Sequence, residues 1–176
     1  MSEVQSGYLL GIGSNIDPHA NIAKIIRLLL AKLPKLAISR VLSIPPIGMN
    51  SRRDFLNVVV FIETDMTEEA LKAICNDIEI SLGRDREDPE RKTKDRTADL
   101  DILSKACFPE DGQRPASTIT DEYFLYPLLE EMNAYLSKQD FLIEQAGVAI
   151  SIDGSTFGQA ATTIYGNTCT SNERVS

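Results

Sequence analysis

Twice along this 176-residue chain a run of strand type leads into a segment of helical period, which leads into another such run. That order restricts the fold more than any single motif does. Residues 7–13, GYLLGIG, read as a first strand ended by the turn-rich GSNIDP. A helix follows, with Asn15 or Asp17 as its cap and Pro18 in its first turn. Ile22, Ile25, Ile26, Leu29 and Leu33 recur at helical spacing, while Lys24, Arg27 and Lys32 face away. AISRVLSI (37–44) predicts a second strand and FLNVVVFIET (55–64) a third, and the single loop between them makes an antiparallel pair the simplest arrangement. A second helix runs to Leu82, capped by Asp65 or Thr67, with Leu71, Ile74, Cys75, Ile78 and Leu82 on one face. Gly83 stands where a helix end favours a left-handed residue. RDREDPERKTKDR (84–96), six basic and five acidic residues with nothing to bury, predicts an exposed loop, and TADLDIL (97–103) a fourth strand.

The order β-α-β-β-α-β is that of a ferredoxin-like α+β fold, an antiparallel sheet with helices packed on one face. C-terminal additions follow it: a loop (PEDGQRPAST), a turn or short strand and a helix (YFLYPLLEEMNAYL), and a hairpin arm (ISIDG). One domain over residues 1–165 and a flexible tail over 166–176 are expected.

The net charge of −8 disfavours nucleic acid or an anionic membrane as main partner, although a local basic cluster can still hold a small anion. Cys75, Cys107 and Cys169 are widely spaced and form neither a zinc pattern nor a disulfide framework. The N-terminal apolar patch is too short for a signal peptide or a membrane span, so a cytoplasmic protein, without membrane attachment and monomeric, is expected.

Chemistry concentrates in three places. In TADLDIL, Ala98, Leu100 and Ile102 share the core face of a strand and Thr97, Asp99 and Asp101 the other. Two carboxylates so placed repel unless water or a cation screens them. A solvated acidic edge accounts for them, and so does a Mg²⁺ ion that keeps waters for a nucleotide phosphate. Arg84, Arg86 and Arg96 bracket the strand entry and are suited to phosphate oxygens, or else pair within their own charged loop. Phe55 and Asn57 share a face and offer a ring beside an amide, which suits a flat heterocycle; on residue types alone, a core Phe55 and an Asn57 that satisfies a loop are the simpler reading. GIGSN (11–15) lacks the spacing of a phosphate loop and reads as a strand-to-helix turn. His19, without a catalytic partner in the sequence, reads as a surface residue.

Four stretches taken in order, YLLGIGSN, PPIG with DFLNVVVFIET, IEISLGRDR and DRTADLDIL, resemble the 6-hydroxymethyl-7,8-dihydropterin pyrophosphokinases of folate biosynthesis from about residue 8 to 103. The resemblance implies the ferredoxin-like fold and transfer of pyrophosphate from ATP to a pterin hydroxymethyl group. It implies that Asp99 and Asp101 bind two Mg²⁺ ions holding ATP, and that Glu79, Arg84, Arg96 and the Ile102 backbone line the nucleotide site. Arg84 and Arg86 would belong to a loop closing over the reactants, with Arg84, Arg86, Arg96, Asp99 and Asp101 as the catalytic set. Ile44, Pro45, Pro46 and Asn57 would hold the pterin edge, with the ring between Phe55 and Tyr123. The chain departs from the family in having no tryptophan, no histidine in the segment before Tyr123, and Asp121 where the family tends to place arginine. A weakly active or non-catalytic relative that binds pterin or nucleotide is the alternative those departures imply.

Overall fold

The first apolar run forms β1 (Gln5–Ser14), longer than its hydrophobic letters alone indicate. A computed structural model describes residues 4–45, 53–83 and 98–166 of the chain. Helix α1 (Pro18–Leu30) follows and buries Ile22, Ile25, Ile26 and Leu29, each worth roughly 1.5–3 kcal/mol in transfer free energy. Asp17 is its cap residue, but its backbone is left-handed (φ 43°) and its side chain does not cap. The entry is tied instead by Asn21, whose Nδ2 donates to the Ile16 carbonyl at 2.6 Å, and by Pro18, which has no N–H to satisfy.

The second predicted strand is two strands, β2 (Lys35–Ile38) and β3 (Leu42–Ile44). Between them the Ser39 hydroxyl accepts the Val59 N–H and donates to the Arg40 carbonyl, so the chain leaves the regular ladder. Both strands pair antiparallel with β4 (Phe55–Glu63), as the single intervening loop predicts. Helix α2 (Glu68–Ser81) starts at Thr67, whose hydroxyl accepts the Ala70 N–H, and ends before Gly83 at φ 91°. β5 (Asp99–Phe108) completes the core and extends five residues past the predicted end.

The main sheet runs β5-β1-β4-β2, with β3 also on β4, and gains a C-terminal edge strand β8 (Thr162–Tyr165) beside β2. Its β-α-β-β-α-β connectivity is ferredoxin-like, and the helices of that unit lie on one face. Tyr8, Leu10, Ile12, Val58, Val60 and Ile62 meet α1 and α2 there. The opposite face carries Leu9, Val59 and Phe61 and is covered by α3 (Tyr126–Leu136) through Leu128, Leu129, Met132 and Leu136. A register shift beside Leu103 changes which residues of β5 face each layer: Leu100 packs with α1 and α2, whereas Ala106 and Phe108 pack with α3.

The ISIDG stretch is a hairpin, β6 (Ile150–Ile152) and β7 (Ser155–Phe157), turning on Asp153-Gly154 with both φ positive, as a type I′ turn requires. Residues 109–118, a loop by sequence, contain short 3-10 turns at Glu110–Gln113 and Ala116–Thr118. Of the predicted tail, Gly166 donates its N–H to the Pro34 carbonyl, and residues 167–176 lie outside the described residues. No described helix is long and apolar enough to cross a membrane.

Candidate active site

Phe55, Asn57, Asp99 and Asp101 share the sheet face opposite α1 and α2, whereas Ile102 faces that helical layer and Glu79 lies on α2 itself. Gly13 pairs with Asn57 on one side and Asp99 on the other, and Gly11 likewise lies between Val59 and Asp101. Directly opposed residues project the same way, so Leu42, Asn57, Gly13 and Asp99 make one row across four strands. At a strand spacing of 4.7–4.9 Å, Asn57 and Asp99 are roughly 10 Å apart across that row.

The two glycines are therefore not a turn. Both lie inside β1, where Gly13 leaves room for Asn57 and Phe55 and Gly11 packs under Leu125 and Leu103. A Cβ on Gly13 would stand 2.9 Å from Asn57 Oδ1 and 3.4 Å from Phe55 Cδ1. One on Gly11 would stand 3.2 Å from Leu125 Cδ1. Asn57 and Phe55 thus lean over β1, into space any larger residue there would occupy. Both glycines fall inside the predicted first strand, 7–13, and their i, i+2 spacing there is the signal that would have found this; the reading of GIGSN as a strand-to-helix turn passed over it.

Asp99 is half-buried and Asp101 exposed, about 6.7 Å apart along the strand by strand rise. Between them Leu100 points into the core, and its N–H, on an edge strand, is accepted by the Glu79 carboxylate at 2.7 Å. Glu79 is fully buried, so in this structure its Oε2 holds the acidic strand in place from behind. One turn earlier on α2, the buried Cys75 thiol is pushed up to about 12, mainly by burial and further by the Glu79 and Asp101 carboxylates. It is a core residue and no nucleophile. Ile102 pairs with Leu10, half-buried against the α1/α2 core.

Phe55 is 8 % exposed yet belongs to neither of the two described core clusters, and Asn57 is equally buried. Ile44 opposes Phe55 across β3 and β4, and Pro45 is exposed beyond it. Tyr123, in a 3-10 turn (Tyr123–Leu125) leading into α3, is 63 % exposed and meets Phe124 edge-on at 6.2 Å. Phe124 faces a cavity of about 260 Å³ shared with Leu42 and Ile44. Asp121 and His19 are exposed. Pro46, Arg84, Arg86 and Arg96 lie outside the described residues.

The segment after Asp101 brings no cation of its own to this face. Lys105 opposes Tyr8 on the helix-covered side, its Nζ 6.0 Å from the ring centroid. Arg114 spends its guanidinium on the Lys105 and Thr118 carbonyls. Among the described residues no cluster of three or more His, Cys, Asp or Glu side chains could hold a metal by itself. Two adjacent carboxylates with hard oxygen donors do fit Mg²⁺, which binds through one or two such groups and completes its shell with water and substrate phosphates.

Fold and site together define a ferredoxin-like α+β domain that carries Asn57, Gly13 and the paired carboxylates Asp99 and Asp101 on one sheet face. Residues 9–133 match the family described as 7,8-dihydro-6-hydroxymethylpterin-pyrophosphokinase (HPPK), and the chain belongs to that family. It is 38 % identical over 98 residues to a protein of Methylorubrum extorquens named 2-amino-4-hydroxy-6-hydroxymethyldihydropteridine pyrophosphokinase, a match covering 54 % of this chain and 60 % of that one. Proteins of the same name in Porphyromonas gingivalis and Bacillus subtilis are 30 % and 34 % identical over 103 and 97 residues. Those matches cover 57 % and 53 % of this chain, and 70 % and 56 % of the relatives.

Proposed function

We propose that the protein transfers pyrophosphate from ATP to the hydroxymethyl group of 6-hydroxymethyl-7,8-dihydropterin, giving AMP and the pterin diphosphate. The observation that carries this reading is the row Asn57–Gly13–Asp99. In it an amide suited to a heterocycle edge and a carboxylate suited to a metal–nucleotide share one face, separated by the side-chain-free Gly13.

In this reading Asp99 and Asp101 hold two Mg²⁺ ions, which when bound supply charge neutralisation along the triphosphate. Arg84, Arg86 and Arg96 add cations to the phosphates, and Arg84 and Arg86 close over the reactants. Glu79 and Ile102 support the nucleotide side. Asn57, with Ile44, Pro45 and Pro46, meets the polar edge of the pterin, and Phe55 and Tyr123 take its two faces. The hydroxymethyl oxygen is thereby presented in line with the β-phosphorus, and the rate comes from positioning and electrostatics. ATP and the pterin are the only partners this mechanism needs, and the protein acts as a cytoplasmic monomer.

The test is AMP formation from ATP and the pterin with folded protein and Mg²⁺. Product above background supports the reading. Pterin binding in calorimetry without product assigns the chain instead as a non-catalytic binder, the outcome that Asp121 and the absent histidine would explain. Absence of both overturns the pterin assignment.

A further inference from the structure

One buried carboxylate fastens three segments around the pterin end of the site. Glu131 of α3 is 1 % exposed, and its Oε1 accepts both the Arg40 backbone N–H (3.0 Å) and Arg40 Nε (3.1 Å). Its Oε2 accepts the Ala161 N–H at 2.8 Å. Arg40 Nη1 in turn donates to the Gln145 carbonyl at 3.1 Å. Arg40 stands at the break between β2 and β3, two residues before Leu42, which shares the row of Asn57. Glu131 stands about two turns after Tyr123 and Phe124.

The C-terminal segment is held at the same break. Val148 donates to the Val41 carbonyl at 2.7 Å, and Val41 to that of Gly158 at 2.8 Å. Gly147 is required there, since a Cβ would collide with the Gly158 and Val41 carbonyls. The result is a cavity of about 260 Å³ lined by Leu42 and Ile44, the cross-strand partners of Asn57 and Phe55, by Phe124 and by residues 145–148.

From this geometry we infer that Glu131 is a positioning residue for pterin binding. Through Arg40 it fixes the strand entering the pterin loop, the helix behind the aromatic pair and the C-terminal wall in one arrangement. The inference rests on the pterin reading above. A purely structural ion pair would support the whole fold and both ligands alike. This one joins α3 to the β2–β3 break and to the residue before β8, on the side of the sheet away from β5, whereas Glu79 holds β5.

The test measures pterin and Mg²⁺–ATP dissociation constants on the full chain. The wild type is compared with Glu131→Gln, with Val148→Trp, which puts a larger side chain at the cavity wall, and with Thr67→Ala, which removes only the α2 cap. E131Q and V148W should each weaken pterin binding about tenfold and leave Mg²⁺–ATP binding within twofold, whereas T67A should change neither. Equal weakening of both ligands by E131Q, or unchanged pterin binding by folded E131Q, overturns the inference. If E131Q does not fold, V148W decides alone, and unchanged pterin affinity there overturns the wall. A wild type that binds ATP but no pterin overturns the substrate reading itself, before any variant is compared.

Discussion

The Glu79 carboxylate accepts the N–H of Leu100, the residue that separates Asp99 from Asp101. An edge strand exposes half its backbone groups, and this one is satisfied by a side chain from the helix behind it. Replacing Glu79 with Ala leaves that buried donor unpaired, at a cost of about 1–3 kcal/mol. Glu79→Gln keeps an acceptor and should recover most of the loss. Urea unfolding checks the order wild type, E79Q, E79A. Mg²⁺–ATP titration should follow the same order, because a frayed strand no longer aligns its two carboxylates.

Gly13 admits no side chain without moving Asn57 or Phe55. Gly13→Ala would press a methyl group against Asn57 Oδ1, which can swing away at small cost to the fold. The swing takes the amide out of the row. Pterin affinity should therefore fall by tenfold or more while the urea midpoint moves little and Mg²⁺–ATP binding persists. A midpoint unchanged together with unchanged pterin affinity would show that Asn57 does not meet the ligand.

The raised Cys75 thiol ties stability to alkaline pH. Folding keeps this thiol protonated up to about 12, whereas an unfolded cysteine ionises near ~8.5. The group's contribution is fully present below the unfolded value and is lost as pH rises toward the folded one. Between pH 8.5 and 10.5 the wild type should lose on the order of 2 kcal/mol more than Cys75→Val, by the linkage of two pH units. At pH 8, a thiol reagent followed by peptide mass spectrometry should label the half-exposed Cys107 and spare Cys75.

Much of the architecture is legible in short-range pattern. The helices showed in their 3.6-residue period and the antiparallel pairing of residues 37–44 with 55–64 in the short loop. The like-facing Asp99 and Asp101 showed in strand alternation. Features set by distant partners were not legible. The break at Ser39–Val41 depends on Glu131, some 90 residues on, and on Gly158 and Val148. The extension of β5 past residue 103 depends on a bulge that reverses its facing against β1. Gly11 and Gly13 fall inside the predicted strand 7–13, but only pairing on both sides shows that Gly13 makes room for Asn57 and Phe55. α3 and β8 follow the fourfold core in sequence, but their faces are chosen by tertiary burial rather than by local propensity.

Asp99 and Asp101 give the reading its most direct thermodynamic signature. A ligand that binds only the folded protein stabilises it by RT ln(1 + [L]/Kd), about 2.7 kcal/mol at a hundredfold excess over Kd. For a chain of this length that is a rise in Tm of about 5–11 °C. The wild type should show it with ATP plus Mg²⁺ and lose it with EDTA. Asp99→Asn/Asp101→Asn is first unfolded without ligand, which sets its own baseline temperature. With Mg²⁺–ATP the double variant should gain nothing. A full Mg²⁺-dependent rise in that variant would move the metal site away from these two carboxylates, and differential scanning calorimetry of the four combinations separates the cases.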